Sequence, residues 1–329
     1  MSVATAESGA PAPTQPPEPS TPVSRRARRQ RPPRRTRPTR PVRAGEPEEA
    51  LSILSSALTV IALGCAWMLL QLLVLGGLSQ ARSQDLLYNE YRQQVAAATA
   101  PTGSVDIDGH PLAAGAPVAV LTIPSLGLSQ VVVSGTSSGD LLAGPGHQRT
   151  TPLPGQAGIS VVMGRAATYG APFGDIGSLR AGDEITVQNA QGVVTYQVED
   201  VRRAGDPVPQ PLTGKQSRLI LVTAEGSGAL SALRAQNALF VDAITTKALP
   251  AGPLAGSALP LSEQPMARDS SALPMLVLLL AGLALLVLVV SIARRRFRAA
   301  LVWVLATPCV IALAWATTDQ VMRLLPNLM

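Results

Sequence analysis

VAVLTIPSLGLSQVVVSG, residues 118–135, holds two short β-branched runs separated by a Pro-Ser-Leu-Gly break. A run of six or seven such residues closed by Pro or Gly reads as a strand and a turn, not as a helix. The pattern recurs outward along the chain in GISVVMG (158–164), EITVQNA (184–190), VVTYQVEDV (193–201), RLILVTA (218–224) and ALFVDAI (238–244). Seven runs this close together predict an all-β barrel or sandwich over residues 118–247. Short helical intervals fit between them at residues 138–143 and 229–236. With aromatic residues at only 3% of the chain, Val, Leu and Ile must fill the core.

On either side the pattern changes from alternating to continuous. Residues 51–78, 273–293 and 299–318 carry no formal charge, and each run is long enough to cross a membrane as a helix. LPMLVLLLAGLALLVLVVSIA, residues 273–293, is apolar all round, which suits lipid better than the core of a domain this small. Pro308 in the third run is compatible with a kinked membrane helix. Residues 79–117 read as a polar helical continuation followed by an Ala/Pro/Gly-rich linker, and 248–272 as a second linker. Gln71 and Gly282 are candidates for helix–helix contacts.

The net charge of +6 divides by segment. Residues 1–50 hold ten Arg, all between Arg25 and Arg43, against five acids; residues 79–272 hold twelve basic groups against fifteen acids. The turn at 294–298 carries Arg294, Arg295, Arg296 and Arg298. Basic residues beside spans stay on the cytoplasmic side, so the tail and this turn are expected inside and the middle segment outside. The first run is then an uncleaved signal anchor, and 319–329 a short outer tail. Eleven Pro among the first fifty residues make that tail disordered. Its Arg cluster suits anionic lipid headgroups, and no nucleic-acid partner is expected.

Cysteine and histidine counts exclude several classes. Both cysteines, Cys65 and Cys309, fall inside apolar runs, so a disulfide framework is ruled out for the middle segment. His110 and His147 are 37 residues apart with no thiol near them, which argues against zinc. The DIDG string at 106–109 is too short for a calcium loop and reads as a surface turn. No metal and no cofactor is expected.

The strings LTIPSLGLSQVVVSGT (121–136), LLAGPGHQRTTPLPGQAG (141–158), VVMGRAATYGAPFGDIGSLRAGDEI (161–185), VTYQV (194–198) and LILVTA (219–224) together resemble the sortases, most closely classes E and D of Gram-positive bacteria. The resemblance implies a sortase-type β-barrel of about eight strands outside the membrane. It also implies a reaction in which a Cys at the end of a strand attacks a Thr–Gly bond, a His moves the proton and an Arg steadies the oxyanion. At the Cys position this chain has Ala224, and at the His position Arg165. The Arg position falls on Arg234 by spacing from Ala224, or on Asn237 or Ala238 if the strand ALFVDAI is aligned. Alanine has no nucleophilic atom, and a guanidinium stays protonated and cannot shuttle a proton.

Three polar groups flank the Cys position: Thr223, Glu225 and Ser227. A hydroxyl there needs an adjacent base, and Glu225 is expected to form an ion pair with Arg165 rather than serve as one. His147 lies in a GPGH string that active relatives carry besides their catalytic His, so it is expected to hold a loop. Arg165, Thr223, Ala224, Glu225, His147 and Arg234 are therefore candidates for lining a groove that binds an extended peptide, with Arg165 favouring an anionic group. The expectation is a multi-pass plasma-membrane protein whose barrel binds or scaffolds, with a membrane-protein partner or envelope complex. The alternative is a peptidase or transpeptidase with a substitute Ser or Thr nucleophile.

Overall fold

A computed structural model describes residues 58, 62–106, 108–225, 237–256 and 258–329. The Arg/Pro-rich tail, including Arg25 to Arg43, lies outside the described residues, as do parts of the first apolar run.

Eight strands close a barrel in the order β1-β2-β3-β4-β7-β8-β6-β5. They are β1 (Pro117–Ile123), β2 (Leu128–Ser134), β3 (Gly146–His147), β4 (Gly158–Met163), β5 (Glu184–Asn189), β6 (Gly192–Arg203), β7 (Ser217–Ala224) and β8 (Ala238–Thr245). The β2–β3 and β4–β7 pairs are parallel and the others antiparallel. Each of the seven runs read from the sequence becomes a strand. In β6 the alternation is literal, with Val194, Tyr196 and Val198 buried between exposed Val193, Thr195 and Gln197. β7 lies between β4 and β8, and only Ile220 of its eight residues escapes full burial. Leu121, Ile123, Ile185, Leu219, Leu221 and Val241 fill the core, with Phe173 and Tyr196 among its few aromatics. Tyr196 satisfies its buried hydroxyl by accepting from Gly155 N–H at 2.8 Å and bonding the Ser217 hydroxyl at 2.8 Å.

The expected helical continuation is present. Residues 62–70 are helical, a π-turn follows at Gln71–Leu75, and α1 (Gly76–Ala96) runs along the barrel wall. Its Gln84 substitutes for a missing strand neighbour: the amide accepts from Val131 N–H at 2.6 Å and donates to Val131 O at 3.2 Å and Ala143 O at 2.8 Å. These contacts satisfy main-chain groups of β2 that short β3 does not reach.

Two further helices, α2 (Leu273–Arg296) and α3 (Ala299–Leu324), form an antiparallel hairpin. The segments Ser270–Arg296 and Ala300–Leu324 are long and apolar enough to cross a membrane. α3 continues through Pro308 and ends six residues beyond the predicted run. Gly282 faces α3, where a Cβ would lie 3.9 Å from Leu313, and Trp67 donates to the Thr318 hydroxyl at 3.1 Å. The stretch 248–272 is not a loose linker. Glu263 is buried in an ion pair with Arg149, its carbonyl accepts from Thr136 Oγ1 at 2.7 Å, and Pro253 O accepts from Ser104 N–H at 3.0 Å.

Candidate functional site

β4 and β7 are parallel neighbours in a register that pairs Met163 with Val222. The segments leaving them therefore emerge side by side at one end of the barrel, Gly164 to Tyr169 from β4 and Thr223 to Glu225 from β7. Topology alone thus brings Arg165 and Ala224 to one place, and Gly164 N–H donating to Val222 O at 3.0 Å fixes the start of the turn.

Ala224 ends β7 at 1% exposure, paired with Ala238 across β8. The neighbouring hydroxyl is already engaged: Thr223 Oγ1 is buried and donates to Gly164 O at 3.1 Å. Glu225 pairs with Arg203 on β6 and not, as expected, with Arg165. The correction has a geometric cause, because Arg165 points into the barrel end while Glu225 follows β7 outward. Arg234 and Ser227 lie outside the described residues.

Arg165 is fully buried. One guanidinium nitrogen, Nη2, donates to Ser138 O and Ser138 Oγ, both at 2.8 Å; the other, Nη1, donates to Thr168 Oγ1 at 3.0 Å and to Met329 O at 2.8 Å. Among the described residues no carboxylate side chain forms an ion pair with it. Burial lowers its pKa to about 10, so it keeps its charge at neutral pH.

His147, on β3, holds the loop that the GPGH string predicts. Its Nε2 lies 2.9 Å from Pro152 O and 3.0 Å from Thr151 Oγ1. A carbonyl can only accept, so Nε2 carries the proton. Burial lowers its pKa to about 4, which keeps the ring neutral.

The segment following α3 is what sequence reasoning missed. Residues 325–329, read from the sequence only as a short tail, enter the same end of the barrel. Leu328 is fully buried in an apolar cluster with Leu141, Met163, Ala166, Val222 and Ala224. Its carbonyl accepts from Ala166 N–H at 2.9 Å, and Met329 O accepts from Thr168 Oγ1 at 2.7 Å besides Arg165. Asn327 donates through its side chain to Thr136 O at 2.8 Å and Gln264 O at 2.9 Å. Five residues without periodicity, docking across the length of the chain, leave no local signal. Ser138 and Thr168 were missed for the same reason.

The loop carrying Arg165 is also tied to the helices. Tyr169, in the left-handed region at φ 51°, donates to Asp319 of α3, and fully buried Gln71 lies against it. Gln71 thus marks the junction between barrel and helices. On the other side of Ala224 an open cleft of about 340 Å³ is lined by Asp175, Arg203, Thr223, Glu225 and Leu239.

Asp106, Asp108 and His110 cluster at the surface, where Asp106 Oδ1 accepts from the main-chain N–H groups of Asp108 and His110, both at 2.9 Å. That carboxylate builds the predicted turn.

A family model for the sortase domain matches residues 121–229. Solved structures similar to the chain include sortase E from Streptomyces avermitilis, 29% identical, with 46% of this chain covering 100% of that one at a TM-score of 0.33. The Clostridium perfringens sortase D5 transpeptidase is 18% identical, with 49% and 97% coverage and a TM-score of 0.38. The SrtF sortase from Corynebacterium diphtheriae is 23% identical, with 46% and 93% coverage and a TM-score of 0.35. No curated protein matches the chain.

Proposed function

We propose, from the premise that the barrel is a sortase domain, that this domain binds peptide without cutting it and serves as a binding or scaffolding subunit of a cell-envelope assembly. One observation carries the proposal. Where the family resemblance places a thiolate and an imidazole, this barrel end has a buried alanine and a buried guanidinium whose two terminal nitrogens both donate to neighbouring oxygens. Neither can attack a carbonyl or relay a proton at working pH. The groups nearest Ala224 do not supply the chemistry instead, since Thr223 spends its hydrogen on Gly164 O and Glu225 is neutralised by Arg203.

The proposal includes a topology. The barrel faces outward and the basic turn between α2 and α3 faces the cytoplasm. The first apolar run crosses as a third span, and Arg25 to Arg43 meet anionic headgroups. A membrane-embedded partner is expected, because helices beyond a single anchor offer intramembrane surface.

The test uses the full chain in detergent, a fluorescent sorting-signal peptide with a Thr–Gly bond, and an amine acceptor. No cleaved or transferred product above the protein-free background is expected, with or without thiol blocking. Product that disappears in Thr223→Ala would overturn the proposal.

A further inference from the structure

Residues 325–329 of this chain fill the barrel end beside Ala224 and Arg165, next to the open cleft. We propose that residues 325–329 are a displaceable resident ligand. The barrel end is then a site for an extended peptide carrying an aliphatic side chain, with an oxygen one residue further on for Arg165. The proposal rests on the binding reading above and adds to it the ligand class and the state in which the site is held.

The contacts separate into general and specific. Four hydrogen bonds engage only main-chain oxygens of the segment: Ser138 Oγ to Leu325 O, Ala166 N–H to Leu328 O, and Arg165 Nη1 and Thr168 Oγ1 to Met329 O. Any extended chain can supply those oxygens, which is how peptide-binding edges accept varied sequences. Selectivity falls to the apolar pocket filled by Leu328 and to the two carbonyls that receive the Asn327 side chain. Arg165 sharpens the preference. Its hydrogen bonds go to oxygens of Ser138, Thr168 and Met329, and none of these partners is a carboxylate side chain. A buried guanidinium gains more from an ionised acceptor than from a neutral one. A competing peptide that places a carboxylate at the Met329 position should therefore exceed one that places an amide there.

Access and tethering fit the same assignment. Ala224 belongs both to the cluster that takes Leu328 and to the wall of the open cleft, so a competitor can enter beside the segment. The segment itself follows directly from α3, which the barrel grips through Tyr169 on Asp319 and through Ser138 Oγ donating to Met322 O at 3.0 Å. A short tether gives the resident segment a high effective concentration, so the closed state dominates until a competitor accumulates.

The probe is the peptide Leu-Pro-Asn-Leu-Met with an amino-terminal fluorophore and a free carboxylate, measured by anisotropy against the full chain in detergent. A variant truncated after Leu324 and the Leu328→Asp variant should each bind it about tenfold or more tighter than the unchanged chain. Arg165→Gln should remove that gain, and the carboxamide form of the peptide should bind the truncated variant more weakly. Equal binding by the unchanged chain and a truncated variant of unchanged secondary structure and cooperative melting would overturn the proposal. If truncation unfolds the barrel, hydrogen exchange on the unchanged chain decides. Saturating peptide should deprotect residues 325–329, and undiminished protection would overturn it. Cleavage of the probe would instead refute the non-cutting function and leave the resident ligand standing.

Discussion

Arg165 and His147 are both completely buried and they titrate differently, so each has its own consequence. At Arg165 the desolvation of the charge is offset by hydrogen bonds from both terminal nitrogens. Methionine would remove the charge and leave Ser138 O without its side-chain donor, a loss of about 1–3 kcal/mol. Lysine would keep the buried charge and lose the planar fork, so Arg165→Lys should be the more destabilising of the two. Denaturant melts of both variants followed by far-UV circular dichroism check this, and a Lys variant more stable than the Met variant would contradict it. For His147 the folded pKa of about 4 lies below the ordinary 6.5. The unfolded chain then binds a proton that the folded chain refuses, so stability rises with pH between those two values. On acidification from pH 6.5 toward 4 the barrel should lose up to about 3 kcal/mol through this group. His147→Gln should flatten that part of the stability profile, and an unchanged slope in the variant would count against the assignment.

At the level of elements, the GPGH string shows how a motif acquires a physical meaning. Gly146 sits where β3 meets β2, and a Cβ there would fall 2.1 Å from Gly135 O and 2.7 Å from Leu141 Cδ2. Main chain cannot move aside as a flexible side chain can, so Gly146→Ala should cost about 2 kcal/mol or more. Gly256→Ala meets nothing within 4 Å and should stay within about 0.5 kcal/mol of the parent, which makes it the paired control in the same melts. The seven longer strands were legible because β-branched runs between turn residues encode both strand and period. β3 has two residues, too few for any period, and only the resemblance to an eight-stranded family anticipated it. Of the helical intervals, 138–143 survives as a single 3-10 turn at Asp140–Leu142, and 229–236 lies outside the described residues. Within the site, Ala224 and Arg165 were legible as residue types at fixed positions. The partners of Arg165 were not, because Ser138, Thr168 and Met329 reach it through tertiary packing. Glu225 was misassigned because sequence gives adjacency to β7 without the direction in which the side chain leaves it.

For the whole molecule, the hairpin geometry and the charge pattern argue for one topology, which is a prediction to test. α2 begins and α3 ends near the barrel, since Asp269 N–H donates to Arg323 O at 3.1 Å and Tyr169 reaches Asp319. Each helix is about 36–39 Å long at about 1.5 Å per residue, enough to place the turn between them on the opposite side of a bilayer. That turn carries Arg294, Arg295, Arg296 and Arg298, with the exposed Phe297 among them. Pulling four guanidinium groups across the hydrocarbon layer is far more costly than translocating a middle segment with more acids than bases. The barrel should therefore face outward. In a background with Cys65 and Cys309 replaced by Ser, Val208→Cys places a thiol in the loop between β6 and β7, at a site 82% exposed. A membrane-impermeant maleimide should label it on intact protoplasts. Phe297→Cys in the turn should react only after permeabilisation. Labelling of the turn but not the loop on intact protoplasts would reverse the topology and remove the barrel from the envelope side, whatever peptide its groove holds.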